Sequence, residues 1–543
     1  MPTSVQSPTQ QAAQNYLENA NGESRELPKI MIFHDGYKIS ASAESLFNAI
    51  ASTRRFFYRG GTVVEVVEDP DEGFISKPLS AAAFVSRFDE YVNFTKSGAA
   101  GTDPIIANIS EQQAKIYLKT TAAQTCLPHL NGILNCPMLV EKDGRLIEVN
   151  QGYNLETGYF VTSAQPAENV ELAFAVGILS KILCEFDFVT PGDRSRAIAS
   201  MLTPALKLGG FIKGAVPVEV AEADQSQSGK GYRQKLIGAI YNQKLALVTN
   251  KKGGVGSFEE SICEHLVKGR VFIQLDNWRG RLDSELLESF ITADGSFPAR
   301  VPFLGSMSVN PGKFILFISS NGFEATKDLT NRSSIIGIRK RVDHQFEQFE
   351  GGRDLLEFSK FIQPVLIGAV FTVIKEWHRQ GKPRTSEKRH DFYEWCQVLD
   401  WIVQNLFDAA PLMEGHDEAK RIAVNTSLSF LRTLSIKLRA RHAIDQALAA
   451  GEISQICIEE DLEIPGVKME EQTVEQGPQQ IGKIMKPLFK GGEEFTFGEF
   501  KVSRSSQQQL SEQGHPFTAY RYTFQQVTPA TSPTAVPATP QNC

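Results

Sequence analysis

The chain has 543 residues, of which 41% are hydrophobic and 22% are charged, and its formal net charge is -7. This is the composition of a soluble chain long enough for about three or four domains. The negative charge excludes a general attraction to polyphosphate, so any binding of nucleic acid must use local basic surfaces.

Neither the cysteines nor the apolar segments indicate a secreted or a membrane protein. The seven cysteines form no CxxC pair and no Cys/His group at zinc spacing, which argues against a disulfide framework and a zinc ribbon. The longest apolar stretch, 361–374, contains Gln363 and Pro364 and is too short to cross a bilayer. The N-terminus is polar, unlike a signal peptide. We therefore expect a cytoplasmic chain that does not bind a membrane.

The two ends of the chain are poor in apolar residues, whereas the segment that follows the N-terminal end has the pattern of a folded domain. Residues 1–27 and 527–543 lack the apolar content needed for a core, and we expect disordered tails there. Residues 29–125 are predicted to form a small α/β domain with a strand at 30–33, a helix at 43–56 and a strand at 63–67. We expect this domain to serve in oligomerisation or partner binding.

Two acids in this first domain suggest an alternative role. Asp69 and Asp71 resemble the paired carboxylates of two-metal polymerases, which would make the domain a primase. A nucleotidyl-transfer domain needs more residues than 29–125 supply, and the run Asp-Pro-Asp-Glu-Gly is typical of a turn. We favour the turn.

The middle of the chain changes from helical to alternating structure. Residues 126–210 are predicted to be a linker and helical collar, with amphipathic helices at 172–186 and 194–208. Residues 211–345 then alternate strand and helix, which is typical of a parallel sheet covered on both faces. The predicted class of this region is α/β.

A glycine-lysine loop in that region is a candidate phosphate-binding loop. It follows a strand near 216–220 and precedes a helix that carries Leu236, Ile237 and Ile240 on one face. In such a loop, backbone N–H groups and the helix N-terminus surround the phosphates while a lysine reaches their outer oxygens. The candidate nucleotide-binding residues are Asp224, Ser226, Ser228, Gly229, Lys230 and Gly231.

The loop departs from the GxxxxGK[ST] pattern at two positions. Asp224 replaces the first glycine, and Gly231 replaces the hydroxyl residue that helps to hold magnesium. Ser226 or Ser228 could supply the missing hydroxyl. The alternative interpretation is an ordinary turn with a surface Gly-Lys pair.

Polar residues at the ends of later strands favour the phosphate loop. Asp276 and Asn277 follow the buried run 271–275; the acid is a candidate Mg²⁺ ligand, and the amide would face the attacking water. Asn321 follows the apolar run 314–318 as a candidate sensor of the γ-phosphate, and Arg332 is a candidate finger for a neighbouring subunit's nucleotide. The alternative for Asp276 is a turn residue at the strand end. For Asn321 it is a cap, and for Arg332 a solvated surface charge.

The stretch from Asp224 to Arg341 resembles the ATPase domain of superfamily III helicases, an AAA+ branch found in phage and plasmid replication proteins and in poxvirus-type primase-helicases. Four motifs carry this resemblance: Phe258-Glu-Glu-Ser-Ile, Leu275-Asp-Asn-Trp-Arg-Gly-Arg-Leu-Asp-Ser, Ser320-Asn-Gly and Asp328-Leu-Thr-Asn-Arg332. Upstream, 152–158 and 193–196 also resemble the region that precedes such domains. The resemblance implies an AAA+ P-loop core and, by family, a ring of six subunits.

In that family a hairpin between the second acidic motif and the sensor lines the pore of the ring and touches single-stranded DNA. The corresponding segment here is 297–313, and Arg300, Phe303 and Lys313 are its candidate DNA contacts. The alternative is an ordinary connection between strands.

The last two regions are predicted to be a helical lid and a winged helix. Apolar helices at 355–377 and 392–407 indicate the lid, 346–424. Helices followed by a strand pair indicate a winged-helix domain at 425–526. Its candidate DNA-binding residues are Lys483, Lys486, Lys490, Lys501 and Arg504, and because acids lie close by, a protein-binding winged helix is the alternative.

These features together predict an ATP- and Mg²⁺-dependent DNA helicase or translocase of a phage- or plasmid-type replication system. We expect a homohexameric ring around DNA, with a primase or another replication protein as partner. The alternative is a nucleotide-gated DNA-binding or loading protein, such as a replication initiator, with little hydrolysis. Gly231 favours that alternative and Arg332 favours the motor, while a transposition or defence ATPase on the same core stays open.

Overall fold

The computed structural model of the chain describes residues 27–34, 36–98, 103–163, 165–223, 228–251, 256–301, 305–341, 347–467, 476–510 and 516–527. The loop residues Asp224 and Ser226, the hairpin residue Phe303 and nearly all of both predicted tails lie outside these ranges. The fold is mixed α/β. Internal contacts divide the chain into two units, Met1–Leu130 and Asn131–Cys543.

The first unit contains two three-stranded sheets, β2-β3-β4 and β1-β5-β6. Its core is aromatic, with the rings of Phe56 and Phe88 4.8 Å apart between centroids. The elements are β1 (Lys29–Met31), α1 (Ile39–Ala51), β2 (Phe56–Arg59), β3 (Thr62–Asp69), β4 (Gly73–Pro78), α2 (Ala81–Phe88), β5 (Asn93–Lys96), β6 (Ile105–Ile106), α3 (Glu111–Leu118) and α4 (Thr121–Cys126).

Two predictions for this unit can be compared with its structure. The helix predicted at 43–56 is wrong at its end, because α1 stops at Ala51 and the fully buried Phe56 pairs with Glu65 as the start of β2. The Asp69 carboxylate accepts the backbone N–H groups of Asp71 and Glu72 at 3.1 and 3.2 Å, which lowers its pKa. This carboxylate therefore closes a turn, as the turn interpretation expects.

The second unit begins with short strands and two helices. Its first elements are β7 (Gly132–Leu134), β8 (Met138–Lys142), β9 (Arg145–Val149), β10 (Gln151–Tyr153), β11 (Tyr159–Thr162), α5 (Leu172–Ile182), β12 (Asp187–Phe188) and α6 (Pro191–Leu208). A capping box of Thr190 and Asp193 starts α6. The buried Arg196 guanidinium donates to Asp193 and to the carbonyl of Ile335, both at 2.7 Å, so α6 is fixed against the central sheet.

The central sheet has the order β12-β21-β13-β19-β15-β14, and only β12 runs antiparallel. The predicted parallel sheet is therefore present, built from the apolar runs expected of strands buried on both faces. Its elements and their connections are β13 (Val218–Ala223), α7 (Lys230–Ile240), β14 (Ala246–Val248), α8 (Phe258–Val267), β15 (Phe272–Trp278), β16 (Arg281–Leu282), α9 (Glu285–Thr292), β17 (Phe297–Val301), β18 (Gly305–Val309), a 3₁₀ turn (Pro311–Lys313), β19 (Ile315–Asn321), β20 (Glu324–Ala325), α10 (Lys327–Asn331) and β21 (Ser333–Arg339).

The connections give this sheet a switch point in its middle. After β13 the chain crosses to β14 at the far edge, and after β19 it returns across β13 to β21. Neighbouring strands whose connections leave in opposite directions open a crevice at their carboxyl ends, where ligands of such sheets bind. The crevice here lies at the ends of β13 and β19.

Helices and a second sheet complete the chain. The remaining elements are α11 (Leu355–Phe361), α12 (Gln363–Arg379), α13 (Tyr393–Leu406), α14 (His416–Val424), α15 (Thr426–Ala440), β22 (Ala447–Ala449), α16 (Ala450–Glu459), α17 (Gln476–Met485), β23 (Glu494–Phe497), β24 (Phe500–Leu510) and β25 (Pro516–Gln526). Strands β22-β25-β24-β23 form an antiparallel sheet over α15 to α17. The helices and the strand pair predicted for this region do not include α16 or β22, which pairs with β25.

The apolar segment 355–377 is two helices rather than one. Pro364, which lacks an N–H, lies at the start of α12, and the chain bends by 78° between α11 and α12. Within the described ranges, this bent pair passes a length-and-composition test for a membrane span, and no single helix does.

Candidate functional site

The helix that follows the predicted phosphate loop begins at the carboxyl end of the central sheet. Helix α7 starts at Lys230, directly after Gly229, whose φ of +88° lies in the left-handed region. A glycine accepts this conformation without steric cost, which explains the Gly-Lys order at the helix start. The backbone N–H groups of the first turn of α7 therefore point out of the helix toward the crevice.

The predicted lysine and the predicted sensor touch each other. Lys230 Nζ donates to Asn321 Oδ1 at 2.6 Å, although 91 positions separate the two residues. The lysine side chain is buried, and this burial lowers its pKa, while the nearby charge of Asp276 acts in the opposite direction. Three residues chosen from three separate segments of the sequence thus lie in one crevice.

The Asp276 carboxylate is held by a residue that the sequence did not single out. Ser319 Oγ donates to Asp276 Oδ1 at 2.6 Å and accepts the backbone N–H of Asn277 at 2.7 Å. An irregularity in the β15–β19 pairing and a φ of +50° at Asn277 turn both polar residues outward from the strand. The signal for Ser319 was its place in the Ser-Ser-Asn run that ends β19.

A cavity of about 390 Å³ joins the loop to these strand ends. Its lining residues are Ser228, Gly229, Lys230, Gly231, Tyr232, Asp276 and Asn277. Six of the seven are residues selected from the sequence, the seventh, Tyr232, follows Gly231 directly, and the exposed side chains of Asp276 and Asn277 face this space.

The missing hydroxyl at position 231 has a visible consequence. A Cβ atom on Gly231 would lie 3.3 Å from Asp276 Oδ1, so a serine or threonine there would face the carboxylate directly. Ser228 Oγ, in contrast, is buried without a hydrogen-bond partner among the described residues. An unsatisfied hydroxyl beside the lysine is the kind of donor that a phosphate oxygen would satisfy.

The donor set also fits a magnesium ion. In the part of the chain that the structure describes, no group of three or more His, Cys, Asp or Glu residues could hold a metal by itself. Mg²⁺ usually binds through one or two carboxylates, water and the phosphates of its substrate, so Asp276 alone is compatible with it.

A second cavity, of about 360 Å³, opens on the other side of Gly229. Phe186, Tyr232 and Leu355 provide apolar surface there, and the lining is completed by Glu185, Ser228, Gly229, Arg339, Arg341, Glu347 and Asp354. A Cβ atom on Gly229 would lie 3.1 Å from the Phe186 ring, so the glycine also permits this close packing. Sequence reasoning missed this cavity because its walls come from four separate segments.

Arg332 lies at the opposite edge of the sheet from Lys230. Its carbonyl accepts the backbone N–H of Val218, the first residue of β13, at 3.0 Å, whereas Lys230 follows the end of that strand. Its guanidinium lies 3.4 Å from the exposed carboxylate of Asp328. The arginine therefore lies away from Lys230 of its own chain.

The predicted pore residues occupy different surroundings. Arg300 is exposed on the β17–β18 hairpin, whose strands pair from Phe297↔Val309 to Val301↔Gly305. Lys313 lies in the 3₁₀ turn after the hairpin and is only partly exposed, with Nζ 5.9 Å from the centre of the Tyr159 ring. The structure thus separates Lys313 from the exposed hairpin strands, while Phe303 lies outside the described residues.

The basic residues of the C-terminal region fall into two groups. Lys483, Lys486 and Lys490 are exposed, but α17 ends at Met485, so only Lys483 of the three lies on the helix. Lys501 and Arg504 each pair with a glutamate, Glu494 at 3.1 Å and Glu493 at 3.0 Å. The Arg504 guanidinium also lies 5.0 and 4.9 Å from the Phe489 and Tyr520 rings.

The C-terminal helices contact the strand ends of the site. Arg432 on α15 forms a buried ion pair with Glu222 of β13, and Glu222 also accepts the backbone N–H of Phe323 at 3.3 Å. Glu222 lies two residues before Asp224, the first residue of the predicted phosphate loop. A buried pair at this place joins α15 to β13 and to the turn that follows β19.

Comparisons with known proteins do not assign the chain to a family. No family model matches it, and no curated protein matches it. Solved structures that resemble it include the apo A form of the NrS-1 C-terminal region, with 10% identity, a TM-score of 0.31, and 88% of this chain and 98% of that chain covered. Another is the active helicase Cch of SCCmec type IV, with 11% identity, a TM-score of 0.30, and 87% and 97% covered. At these TM-scores, neither likeness decides the fold family or the function of this chain.

Proposed function

We propose that the chain binds ATP in the crevice at the ends of β13, β15 and β19 and hydrolyses it. The observation that carries this proposal is the contact between Lys230 Nζ and Asn321 Oδ1, together with the one cavity that Lys230 and Asp276 both line. A buried cation, an amide and an acid at a switch point of a parallel sheet are suited to bind and cleave a phosphoanhydride.

Each residue has a role that follows from its place. The first turn of α7, with the Ser228 hydroxyl, donates hydrogen bonds to phosphate oxygens, and Lys230 exchanges its bond to Asn321 for one to a phosphate. Asp276 would hold Mg²⁺, which would neutralise the charge of the phosphates. Asn321, once released, and the outward-turned Asn277 would orient the attacking water. The apolar walls of the second cavity, Phe186, Tyr232 and Leu355, would take the base.

We further propose that hydrolysis drives movement on DNA within a ring of identical subunits, as in phage- or plasmid-type replication. Arg332 is remote from its own loop, so any catalytic role for it requires a second copy of the chain. Arg300 on the hairpin and the three exposed lysines near the end of α17 are the candidate DNA contacts.

A nucleotide-gated DNA-binding protein is the second candidate function. It is favoured by Gly231, which leaves Asp276 without a hydroxyl opposite it and with its Oδ1 atom bonded to Ser319. Nucleotide could then bind without turnover, and the Glu222–Arg432 pair would carry the change at the crevice to α15.

The deciding experiment is steady-state ATP hydrolysis by the full chain with Mg²⁺, with and without single-stranded DNA. Asp276→Asn should abolish hydrolysis while nucleotide binding persists. The matched control is Asp283→Asn, an exposed acid seven positions later in the same motif, which should hydrolyse ATP like the original chain. DNA-stimulated hydrolysis that is lost only in Asp276→Asn supports the motor. Nucleotide binding without hydrolysis in the original chain supports the gated binder, and no nucleotide binding contradicts both.

A further inference from the structure

A larger cavity, of about 640 Å³, lies at the amino-terminal edge of the central sheet, opposite the crevice. It lies between the end of α6, the start of β13, the α9–β17 loop and the 3₁₀ turn before β19. Four cations line it: Lys207, Lys213, Lys313 and Arg332. Asp294, which is exposed, is the one carboxylate among its described lining residues. We call this space the cation cavity.

Three of the cations of this cavity have partners that are neutral or well solvated. Lys207 Nζ donates to the carbonyls of Lys213 and Gly214, at 3.2 and 2.7 Å. Lys313 has the Tyr159 ring, at 5.9 Å. Arg332 Nη1 is buried and makes no hydrogen bond among the described residues. It lies 3.4 Å from the carboxylate of Asp328, which is 69% exposed and therefore well solvated.

The clustering of like charges has an electrostatic cost. Burial, together with the charge of Lys313, lowers the pKa of Lys207 to about 8, and the charge of Glu394 opposes this shift. Burial lowers the pKa of Lys313 as well. A half-buried group of cations without a buried carboxylate is stabilised when an anion enters, because each charge-assisted hydrogen bond then replaces a repulsion.

We propose that the cation cavity binds phosphate groups that come from outside the chain's own phosphate loop. Two sources share this chemistry: the nucleotide held by a neighbouring copy, and the backbone of a DNA strand. The sequence assigned Arg332 to the first ligand and Lys313 to the second, but the two residues line one cavity and would bind the same group. Lys207 and Lys213, which the sequence did not single out, belong to this site. Only the first source rests on the proposed ATP binding.

Pyrophosphate tests the site directly in the full chain carrying Lys230→Ala, whose own phosphate loop is disabled. Pyrophosphate should raise its melting temperature, since a ligand that binds only the folded state stabilises it by mass action. Adding Lys207→Gln and Lys313→Gln should abolish that rise, and adding Lys244→Gln should leave it unchanged. Lys244 is an exposed lysine in the loop before β14, at the same edge of the sheet but outside the cavity.

A second variant guards against a change in folding, because Lys207 also bonds backbone carbonyls. Lys213→Gln removes an exposed lining charge and should weaken pyrophosphate binding severalfold with an unchanged melting temperature in its absence. An equal rise in the Lys230→Ala chain with and without the cavity lysines overturns the proposal, and so does the absence of any rise.

Two further arms identify the source. If the phosphates are those of DNA, Lys207→Gln with Lys313→Gln should reduce the slope of log affinity for single-stranded DNA against log salt by about 1.4, at about 0.7 for each lost phosphate contact. If they belong to a neighbour's nucleotide, mixing these chains with Lys230→Ala chains should restore hydrolysis above that of either alone. No change in either arm means an adventitious anion site only and overturns the proposal. A chain without ATPase activity would disprove the proposed function but leave the pyrophosphate and DNA arms intact.

Discussion

The two edges of the central sheet handle charge in opposite ways. At the carboxyl edge, Lys230 is bonded to Asn321 and Asp276 to Ser319, so each charged group has a neutral polar partner within 2.6 Å. At the amino-terminal edge, Lys207 bonds two backbone carbonyls and feels the charge of Glu394, while Lys313 lies beside the Tyr159 ring. The first edge is ordered before any ligand binds, whereas the second is left with repulsion. This difference indicates that the first edge exchanges internal partners for a ligand, while the second requires an anion from elsewhere.

The largest expected effect concerns the amino-terminal edge. Arg332→Ala should lower the turnover number for ATP by about 10³-fold, as the loss of an arginine that stabilises transition-state charge does, with nucleotide affinity unchanged. Steady-state hydrolysis and equilibrium titration with a fluorescent nucleotide separate the two quantities. Lys327→Ala, which removes an exposed cation at the start of the same short helix, is the control and should keep full activity. Full turnover in Arg332→Ala would remove this edge from catalysis.

Removal of the lysine at the carboxyl edge should act on binding instead. Lys230→Ala loses a charge-assisted hydrogen bond to phosphate, which contributes about 1.5–3 kcal/mol, so the nucleotide dissociation constant should rise about 10- to 100-fold. Lys235→Ala, an exposed lysine on the same helix, should bind as the original chain does. Equal affinities in Lys230→Ala and the original chain would show that the contact with Asn321 is structural only.

The position opposite Asp276 offers a gain of function. Gly231→Ser would place a hydroxyl near the carboxylate, because the Cβ atom lies 3.3 Å from Asp276 Oδ1. A further hydrogen bond contributes about 1 kcal/mol, so hydrolysis at limiting Mg²⁺ should rise about fivefold. Gly231→Ala supplies the Cβ atom without the hydroxyl and should show no gain. Lower hydrolysis in both variants would mean that the Asp276 carboxylate cannot move to make room for the Cβ atom.

The smallest effect is a dependence of stability on pH at the amino-terminal edge. Burial, with Lys313, lowers the pKa of Lys207 from 10.5 to about 8, so the unfolded chain binds more protons between these values. Stability from this group should therefore rise with pH across that window, by up to about 1.4 kcal/mol per pH unit, and the penalty is complete below pH 8.

Denaturant unfolding at pH 7 to 10 would measure this contribution as the difference between the original chain and Lys207→Gln. The stability of Lys207→Gln should not show this rise with pH. Saturating pyrophosphate should also reduce the increase of stability with pH in the original chain, since an anion in the cation cavity raises the pKa of Lys207. Parallel curves for the two chains would contradict a buried, repelled lysine at this edge.

The residues at the carboxyl edge were predictable because each of them directly follows an apolar run that forms a strand. Apolar runs that stop at Asp276 and at Asn321 must deliver those residues to the same edge of a parallel sheet. The bond from Ser319 to Asp276 was not predictable, because it depends on an irregular register between β15 and β19. The end of α1 was not predictable either, because Phe56 is placed by its packing against Phe88 rather than by helical periodicity.

The sequence by itself determined the alternating α/β region, the Gly-Lys helix start and the order of its strand-end residues, because local patterns of burial and backbone freedom set them. Only the tertiary structure decided which cations meet. Lys207, Lys313 and Arg332 end three unrelated segments, and they share one cavity because the order β21-β13-β19 brings the amino ends of those strands together. Strand order is set by packing between distant segments, which no local pattern along the chain records.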